Sequence, residues 1–435
     1  MRTDNVQVIV GNIIHCSDQF NVQLIDNGFI IIAGSKILAI GTESDLSETV
    51  TRLKLKNFST RLLKKSQILI PGLVDTHIHA PQYPNCGLGY DMPLLDWLNN
   101  YTYKLERQYK DLEFSKRVYT TLVQKTLSHG TTTACYFGCL FNNSTNILVD
   151  TVIEHRQRAL IGKINMTHLA PEDYIETPEE SISNTKEFIN YVLSKQSNLV
   201  KPIITPRFAL SVDMALMKEL GVLAKYHNLH IQTHISENVD EVALVQSQYK
   251  MDYAKVYDQA NLLTEKTILA HGIYLSDEEI KLIAQRGTSI SHCPDSNICL
   301  KSGICNVRKL LDNGVKVGLG TDVSGGASPS IMKTMKSCLD SSIVSSFQDK
   351  TYKPFNYEEV FYLATLGGSE ALAMSNTIGN FQVNKEFDAL IVDMDIDNGS
   401  DYLIEYEPKE ILQKFIYTGD DRNIVSVYVA GELVK

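Results

Sequence analysis

Residues 68–79 read ILIPGLVDTHIH, an apolar run that ends in two histidines two positions apart. The length of the run and its β-branched residues predict a buried strand. Side chains two positions apart on a strand point to the same face, so His77 and His79 can reach one ligand together. Imidazole is a common metal ligand. The stretch therefore predicts a strand that presents two nitrogen ligands at its carboxyl end.

Apolar runs of this kind, each ending in polar residues, recur along about 250 residues and alternate with helical stretches. The eight runs are 68–79, 131–137, 161–168, 203–208, 230–236, 267–270, 289–292 and 315–322. Eight strand–helix units of this total length match a (β/α)8 TIM barrel, in which the polar strand ends meet at one mouth. The predicted fold class is therefore α/β.

Short strands divided by turns characterise both ends of the chain. The candidates are 6–9, 29–32, 36–40, 388–392 and 424–429, and the turn signal Asp26-Asn27-Gly28 precedes the second. We expect the two ends to pair into one small β-sandwich domain. The predicted division is 1–70 and 376–435 for the small domain, with the catalytic barrel at 71–375.

Composition limits the function classes. Of the 435 residues, 43% are hydrophobic and 21% are charged, and the formal net charge is -10. Such a charge opposes the nucleic-acid backbone, so we expect no nucleic-acid partner and favour a small-molecule substrate. The sequence shows neither a secretory signal nor an apolar run of bilayer length, which predicts a cytoplasmic protein without a membrane partner. The eight cysteines are irregularly spaced and are interpreted as reduced thiols.

Three later runs also end in candidate ligands, His234, His271 and Asp322. Polar groups that converge from separate strands are costly to bury unless something pairs them, and a metal ion supplies that pairing. Mixed nitrogen and carboxylate ligation favours Zn²⁺, with Fe²⁺ and Mn²⁺ as open alternatives. The run 201–208 carries its lysine, Lys201, at the start, so no strand-end lysine is available to bridge two metals. The interpretation is a site with one zinc ion.

Two further features lie beside these ligands. Glu237 follows His234 by three residues and can accept and return the proton of a water near the metal. Residues 92–105 place leucine and aromatic side chains at helical spacing. This segment is interpreted as a helix packed on the barrel, with a lid over the mouth or a subunit interface as the alternatives.

Several longer stretches resemble one family. They are DTHIHAPQY (75–83), MPLLDWLNNY (92–101), TPRF (205–208), SHCPDSN (291–297) and GLGTDVSGG (318–326). Together with the ligand pattern, they are similar to the mononuclear zinc deaminases of the amidohydrolase superfamily, and among these to the guanine deaminases. The resemblance extends over essentially the whole chain. One departure is Asn384, where the family often has glycine, and asparagine tolerates the same left-handed backbone.

The resemblance implies the following roles. The zinc ligands would be His77, His79, His234, His271 and Asp322. The catalytic groups would be Glu237, Asp322 and His271. The substrate-binding residues would be Gln82, Arg207 and Phe208, together with His234, Glu237 and Asp322. Gln82 offers an amide donor and acceptor, Arg207 offers donors to a ring carbonyl, and Phe208 can stack on a flat base.

The implied activity is hydrolysis of the purine guanine to xanthine and ammonia, with one Zn²⁺ per subunit of a homodimer. Two alternatives stay open at this point. One is the same chemistry on another amino-heterocycle, such as a cytosine, triazine or adenosine-derived ring. The other is a binding protein that keeps the barrel without catalysis, for which a missing ligand would be the expected mark.

Overall fold

The computed structural model describes residues 6–397 and 400–435. The strands are β1 (Val6–Asp18), β2 (Asn21–Ala33), β3 (Lys36–Thr42), β4 (Ser59–Leu62), β5 (Gln67–Pro71), β6 (Leu73–His79), β7 (Thr131–Phe137), β8 (Arg158–Gly162), β9 (Ile164–Asn165), β10 (Val200–Pro206), β11 (His230–Ile235), β12 (Thr267–His271), β13 (Ser289–His292), β14 (Lys316–Leu319), β15 (Ala389–Asp393), β16 (Ile424–Val429) and β17 (Glu432–Leu433).

The helices are α1 (Leu46–Arg52), α2 (Leu94–Trp97), α3 (Tyr103–Glu106), α4 (Leu112–Ser128), α5 (Asn142–Glu154), α6 (Pro178–Ser194), α7 (Met214–His227), α8 (Val239–Tyr249), α9 (Tyr253–Gln259), α10 (Asp277–Gln285), α11 (Pro294–Cys299), α12 (Val307–Asp312), α13 (Ile331–Gln348), α14 (Tyr357–Ala364), α15 (Leu366–Ala371) and α16 (Pro408–Thr418). Within the described ranges, none of these helices combines the length and apolar character needed to cross a bilayer.

Eight parallel strands form the barrel in the order β6, β7, β8, β10, β11, β12, β13 and β14, and the short β9 adds to β10. The last strand returns to the first through hydrogen bonds. Thr76 Oγ1 donates to Leu319 O at 2.9 Å, and Asp322 N donates to His77 O at 2.8 Å. Every residue of β6, β7, β11 and β12 is buried, as expected for strands that helices cover on the outside. The TIM-barrel prediction is confirmed.

The first predicted run, 68–79, is two strands rather than one. Residues before Gly72 form β5 in the terminal sheet, and residues after it form β6 in the barrel. A Cβ atom on Gly72 would lie 2.1 Å from Thr132 Oγ1, so only glycine allows the two chain segments to approach this closely. The continuous apolar character of the run hides the change, because both strands are fully buried.

Both termini contribute to a separate sheet in the order β17, β16, β15, β5, β1, β2 and β3, with β4 paired to β1. Alternate residues of its strands pack into two different apolar clusters, for example Ile30 and Ile32 in one and Phe29 and Ile31 in the other. The predicted sheet from both chain ends is confirmed. Asn384 has a φ of +74°, the left-handed conformation expected at this position.

Two helices of the terminal regions were not predicted. Helix α16 begins at a capping box formed by Glu407 and Glu410, and it buries Ile411, Leu412 and Phe415. These apolar residues lie at helical spacing, a signal that the β-rich sequence around them obscured. Helix α1 is only seven residues long and packs against one face of the terminal sheet.

The third predicted run, 161–168, also differs from the structure, in which β8 begins at Arg158. A sequence pattern assigns arginine to solvent, but Arg158 is buried because it pairs with acidic residues of the C-terminal region. Its Nε and Nη2 donate to Asp388 at 2.9 and 3.0 Å, and Nη2 also donates to Glu386 at 2.7 Å. This fork joins the barrel to the chain that leads into the terminal sheet.

Candidate active site

The five predicted ligands meet at the carboxyl mouth of the barrel. His77 and His79 end β6, His234 lies on β11, His271 ends β12, and Asp322 follows β14. His271 and Asp322 have φ values of +77° and +47°, so the chain turns sharply at each. Such conformations are unusual for residues other than glycine and cluster at functional sites.

The ligand atoms lie close together. His77, His234, His271 and Asp322 each offer one ligand atom, and these four atoms lie within 4.8 Å of one another. The fifth predicted ligand, His79, belongs to the same cluster, since its Nε2 lies 3.1 Å from His234 Nε2 and 3.3 Å from Asp322 Oδ1. The structure therefore brings all five residues together.

Hydrogen bonds fix which nitrogen of each imidazole faces the cluster. His234 Nδ1 donates to the backbone oxygen of Arg207 at 2.5 Å, and His271 Nδ1 donates to Asn297 Oδ1 at 2.9 Å. The proton on Nδ1 leaves Nε2 of each ring unprotonated and directed at its neighbours. Metal-binding histidines are commonly oriented in this way by a partner of the other nitrogen.

Two ring nitrogens of the cluster make no hydrogen bond. Nε2 of His77 and Nε2 of His271 are buried without a hydrogen-bonding partner, although the first lies 3.1 Å from Asp322 Oδ1 and the second 3.5 Å from Glu237 Oε2. Burial also lowers the pKa of His79 to about 4 and holds the pKa of His234 well below its usual value, so these rings are neutral. Neutral imidazoles around one carboxylate, with unsatisfied lone pairs, are the donors that a divalent cation requires. The residues fit a metal ion.

Two buried carboxylates at the mouth differ in protonation. Burial and the negative charges of Asp322 and Glu241 raise the pKa of Glu237 well above its usual value. Burial opposes ionisation of Asp322 as well, but the nearby imidazoles of His77 and His79 hold the pKa of that carboxyl well below its usual value. Environments that separate two carboxyl groups in this way assign one to hold a proton and the other to stay ionised.

Glu237 is held in place by three residues that the sequence did not single out. Its backbone N–H donates to Glu241 Oε2 at 3.0 Å, and Tyr253 OH donates to the other oxygen of Glu241 at 2.6 Å. Ser302 Oγ donates to Glu237 Oε1 at 3.4 Å. The second carboxylate oxygen of Glu237 lies 3.5 Å from His271 Nε2, so it faces the ligand cluster.

The three residues predicted to hold a flat base line the same cavity as the ligands. Gln82, Arg207 and Phe208 all contribute to its wall, together with His79, His234, Glu237, His271 and Asp322. His77 lies deeper than this wall. Gln82 and Arg207 are also connected to each other, because both donate to the carboxylate of Glu106.

The segment predicted as a helix or a lid covers this cavity. Helix α2 continues through a π-helical turn at Leu98–Thr102 into α3, and Leu94, Leu95, Trp97 and Leu98 form an apolar part of the cavity wall. Trp97 Nε1 donates to Leu88 O at 2.9 Å, which anchors the segment. The cavity therefore has a polar floor of metal ligands and an apolar cover, an arrangement that excludes water from a reacting group.

Besides Tyr253, four residues of the site escaped the sequence analysis: Glu106, Glu241, Asn297 and Ser302. Only two had a usable signal. Asn297 ends the SHCPDSN stretch, and Glu241 closes a capping box with Asn238 at the start of α8. Glu106 and Ser302 reach the site through tertiary packing alone.

The chain was compared with known proteins. A family model described as "Amidohydrolase family" matches residues 68–434. The guanine deaminase of Dictyostelium discoideum is 42% identical over 99% of this chain and 98% of its own length. The guanine deaminase of Homo sapiens is 43% identical over 98% of this chain and 95% of its own.

A solved structure agrees with these relatives. The crystal structure of guanine deaminase from C. acetobutylicum, with guanine bound in its active site, superposes with a TM-score of 0.91 at 35% identity, over 99% of this chain and 100% of the other. The family model, the relatives and the fold therefore agree. The chain belongs to the amidohydrolase family and, within it, to the guanine deaminases.

Proposed function

We propose that this protein hydrolyses guanine to xanthine and ammonia. The observation that carries the proposal is the cavity wall, which Gln82, Arg207 and Phe208 line together with Glu237 and four of the predicted metal ligands. The guanine deaminase names of the relatives and the guanine bound in the C. acetobutylicum structure support the same substrate. Water adds to C2 of the ring, and the C2–N bond to the amino group breaks.

The metal is proposed to be a single Zn²⁺ surrounded by His77, His79, His234, His271 and Asp322. When bound, zinc lowers the pKa of a water at this place toward neutrality. The donor set, imidazole nitrogens and one carboxylate, suits zinc. A single ion is favoured because Lys201 lies exposed at the start of β10, away from the mouth.

Glu237 moves the protons in this proposal. Its carboxyl group gives a proton to a ring nitrogen and takes one from the attacking water, an exchange for which its raised pKa is suited. Asp322, which is ionised before the reaction, orients the water, takes its second proton and passes that proton to the leaving amino group. His271 presents its unprotonated Nε2 to the Glu237 carboxyl group, 3.5 Å from Oε2, and helps to hold that group at the reacting centre. Ammonia then leaves, and the ring carbonyl of xanthine forms.

Gln82 and Arg207 hold the ring in plane, and Phe208 packs on its face. Donors fixed in advance around a bound base reduce the entropy lost on reaching the transition state. The apolar cover formed by Leu94, Trp97 and Leu98 keeps bulk water away while the ring is protonated. The base is therefore bound between a polar edge and an apolar cover.

The test is direct. Purified protein loaded with zinc is incubated with guanine, and the ultraviolet spectrum is followed for conversion to xanthine while ammonia release is measured. A panel containing cytosine, adenine and a triazine, scored by ammonia, separates guanine from the other amino-heterocycles. Absence of turnover on guanine with full metal occupancy would refute the proposal.

Two further predictions concern the assembly of the protein and its location in the cell. A homodimer is expected from the family resemblance, and light scattering coupled to gel filtration tests it. A cytoplasmic location is expected from the sequence, and cell fractionation tests it.

A further inference from the structure

Glu106 is a buried carboxylate at the end of α3, behind the wall of the active-site cavity. Its side chain is 1% exposed. Its oxygens accept from two residues of the wall. Arg207 Nη1 donates to Oε2 at 2.6 Å, Arg207 Nη2 donates to Oε1 at 3.2 Å, and Gln82 Nε2 donates to Oε1 at 2.9 Å. An ionised carboxylate buried at this depth needs such partners, and both lie at the site.

These contacts determine which atoms of Gln82 face the cavity. An ionised carboxylate only accepts hydrogen bonds, so the amide nitrogen of Gln82 must lie on the Glu106 side. The amide oxygen accepts from Ser324 N at 3.3 Å on the other side. A flipped amide would place its oxygen against the carboxylate and its nitrogen against the Ser324 N–H. Glu106 and Ser324 therefore hold the Gln82 amide in one orientation.

The same contacts fix the guanidinium of Arg207. Both Nη atoms face one carboxylate in a fork, a geometry that suits arginine and not lysine. The Arg207 group also lies over the ring of Tyr103, 5.1 Å from its centroid. The remaining N–H groups of Arg207 and the second N–H of Gln82 Nε2 stay available to a ligand. The edge of the cavity thus offers donors in fixed directions.

We propose that Glu106 is a positioning residue that makes the site specific for an oxo-purine by fixing Gln82 and Arg207 as hydrogen-bond donors. The proposal rests on the proposed function, because it assigns these two residues to the ring. An oxo group on the ring accepts hydrogen bonds from such donors. An amino group in the same place is itself a hydrogen-bond donor and cannot pair with them. Buried groups left unpaired by the wrong substrate are a strong source of discrimination.

The test replaces the carboxylate with an amide of nearly the same shape. In Glu106→Gln, the amide oxygen replaces only one of the two carboxylate oxygens, and an NH2 group takes the place of the other. Arg207 contacts both oxygens in the wild type, so in either orientation of the new amide one Arg207 nitrogen meets a donor, and the guanidinium must turn. We expect the KM for guanine to rise at least about tenfold with a smaller change in kcat. The ratio of kcat/KM for guanine to kcat/KM for 2,6-diaminopurine, which differs only at C6, falls by at least about tenfold.

A matched control is Glu176→Gln. Glu176 is also a buried carboxylate and pairs with the buried Lys163, but neither residue lines the cavity. This variant should lose stability while it keeps the wild-type substrate ratio. Zinc content and thermal unfolding are measured for every variant, so a general loss of structure is distinguished from loss of orientation.

The outcomes separate the two proposals. A wild-type protein that is inactive on guanine refutes the proposed function. An active wild type with an unchanged substrate ratio in folded, zinc-loaded Glu106→Gln overturns the role of Glu106 alone. Where Glu106→Gln does not fold, Glu106→Asp, which keeps the charge but withdraws the fork by one methylene group, is assayed instead. A raised KM with a reduced ratio supports the proposal, and wild-type values overturn it.

Discussion

Glu237 and Asp322 lie in one buried pocket, yet their pKa values shift in opposite directions. The difference arises because Asp322 faces the imidazoles of His77 and His79, whereas Glu237 faces the charges of two other carboxylates. A protonated and an ionised carboxyl group side by side supply the acid and the base that deamination needs.

The change Glu237→Gln tests this assignment. The amide keeps the size of the side chain and can hydrogen-bond to Ser302, but it cannot carry a proton between water and the ring. We expect kcat to fall by about 10²–10⁴ with zinc content unchanged, because Glu237 is not one of the proposed metal ligands. Ammonia release and elemental analysis measure the two effects. The exposed Glu265→Gln serves as the control, and wild-type turnover of Glu237→Gln would remove the residue from the mechanism.

Asn297 is expected to act on the metal through His271. Its Oδ1 accepts the Nδ1 proton of His271 and thereby keeps Nε2 free to bind. In Asn297→Ala, the ring loses this orientation, and we expect zinc affinity to fall about 10–100-fold. Competition with a chromogenic chelator measures the affinity. The surface change Asn313→Ala should leave it unaltered, and equal affinity of Asn297→Ala and wild type would contradict the role.

The ligands were predictable from the sequence, whereas the residues that orient them were not. His77, His79, His234, His271 and Asp322 each end an apolar run, and the parallel topology of a barrel brings such ends together. Glu106 and Ser302 have no such pattern, because their place depends on how α3 and the loop after α11 pack. Local sequence therefore predicts which groups do the chemistry but not what holds them.

At the scale of the elements, the sequence likewise predicts some features of the strands and helices and misses others. Buried strands such as β7 and β13 were predicted with their observed bounds. The start of β8 was missed because Arg158 is charged, and the break between β5 and β6 was missed because both are apolar. Helix α16 was missed because β-branched strands surround it. In each case tertiary contacts decide where the element begins or ends.

The pair of hydrogen bonds from the Arg158 guanidinium on β8 to the Asp388 carboxylate gives a prediction at this scale. In Arg158→Met, the methionine fills the space, but two carboxylates are left buried or half-buried without their partner. We expect the free energy of unfolding to fall by about 3–5 kcal/mol. Urea denaturation followed by circular dichroism measures the loss.

The matched control is Arg286→Met. Arg286 makes a fork with Asp258 of similar geometry, but on the surface. Solvent screens that pair, so the control should lose much less stability. Equal losses in the two variants would show that burial of Arg158 does not matter.

At the scale of the molecule, we propose that the barrel domain begins at residue 71 and ends at residue 375. Strand β5 ends at Pro71 in the terminal sheet, and β15 re-enters that sheet at Ala389. The sheet is thus made from two chain segments that only the folded barrel brings together. We therefore expect the terminal sheet to depend on the barrel for its stability. Limited proteolysis at residues 71 and 375 tests this dependence.

Acid should weaken the whole molecule through buried histidines. His230 begins β11, and its Nε2 donates to Leu372 O at 2.9 Å. Burial lowers the pKa of His230 from 6.5 to about 4. The unfolded chain therefore binds the proton more tightly than the folded protein. The stability that the neutral ring contributes is present above about pH 6.5 and is lost as the pH falls toward 4.

The variant His230→Gln isolates this contribution, because glutamine keeps an N–H donor and does not titrate. We expect the wild type to lose about 2 kcal/mol more than the variant between pH 7.5 and pH 5, as urea denaturation at each pH measures. Release of the metal in acid affects both proteins equally and cancels in the difference. Parallel stability curves for the two proteins would mean that the ring is not buried in its neutral form, since a ring that already binds a proton in the folded state gains nothing from unfolding.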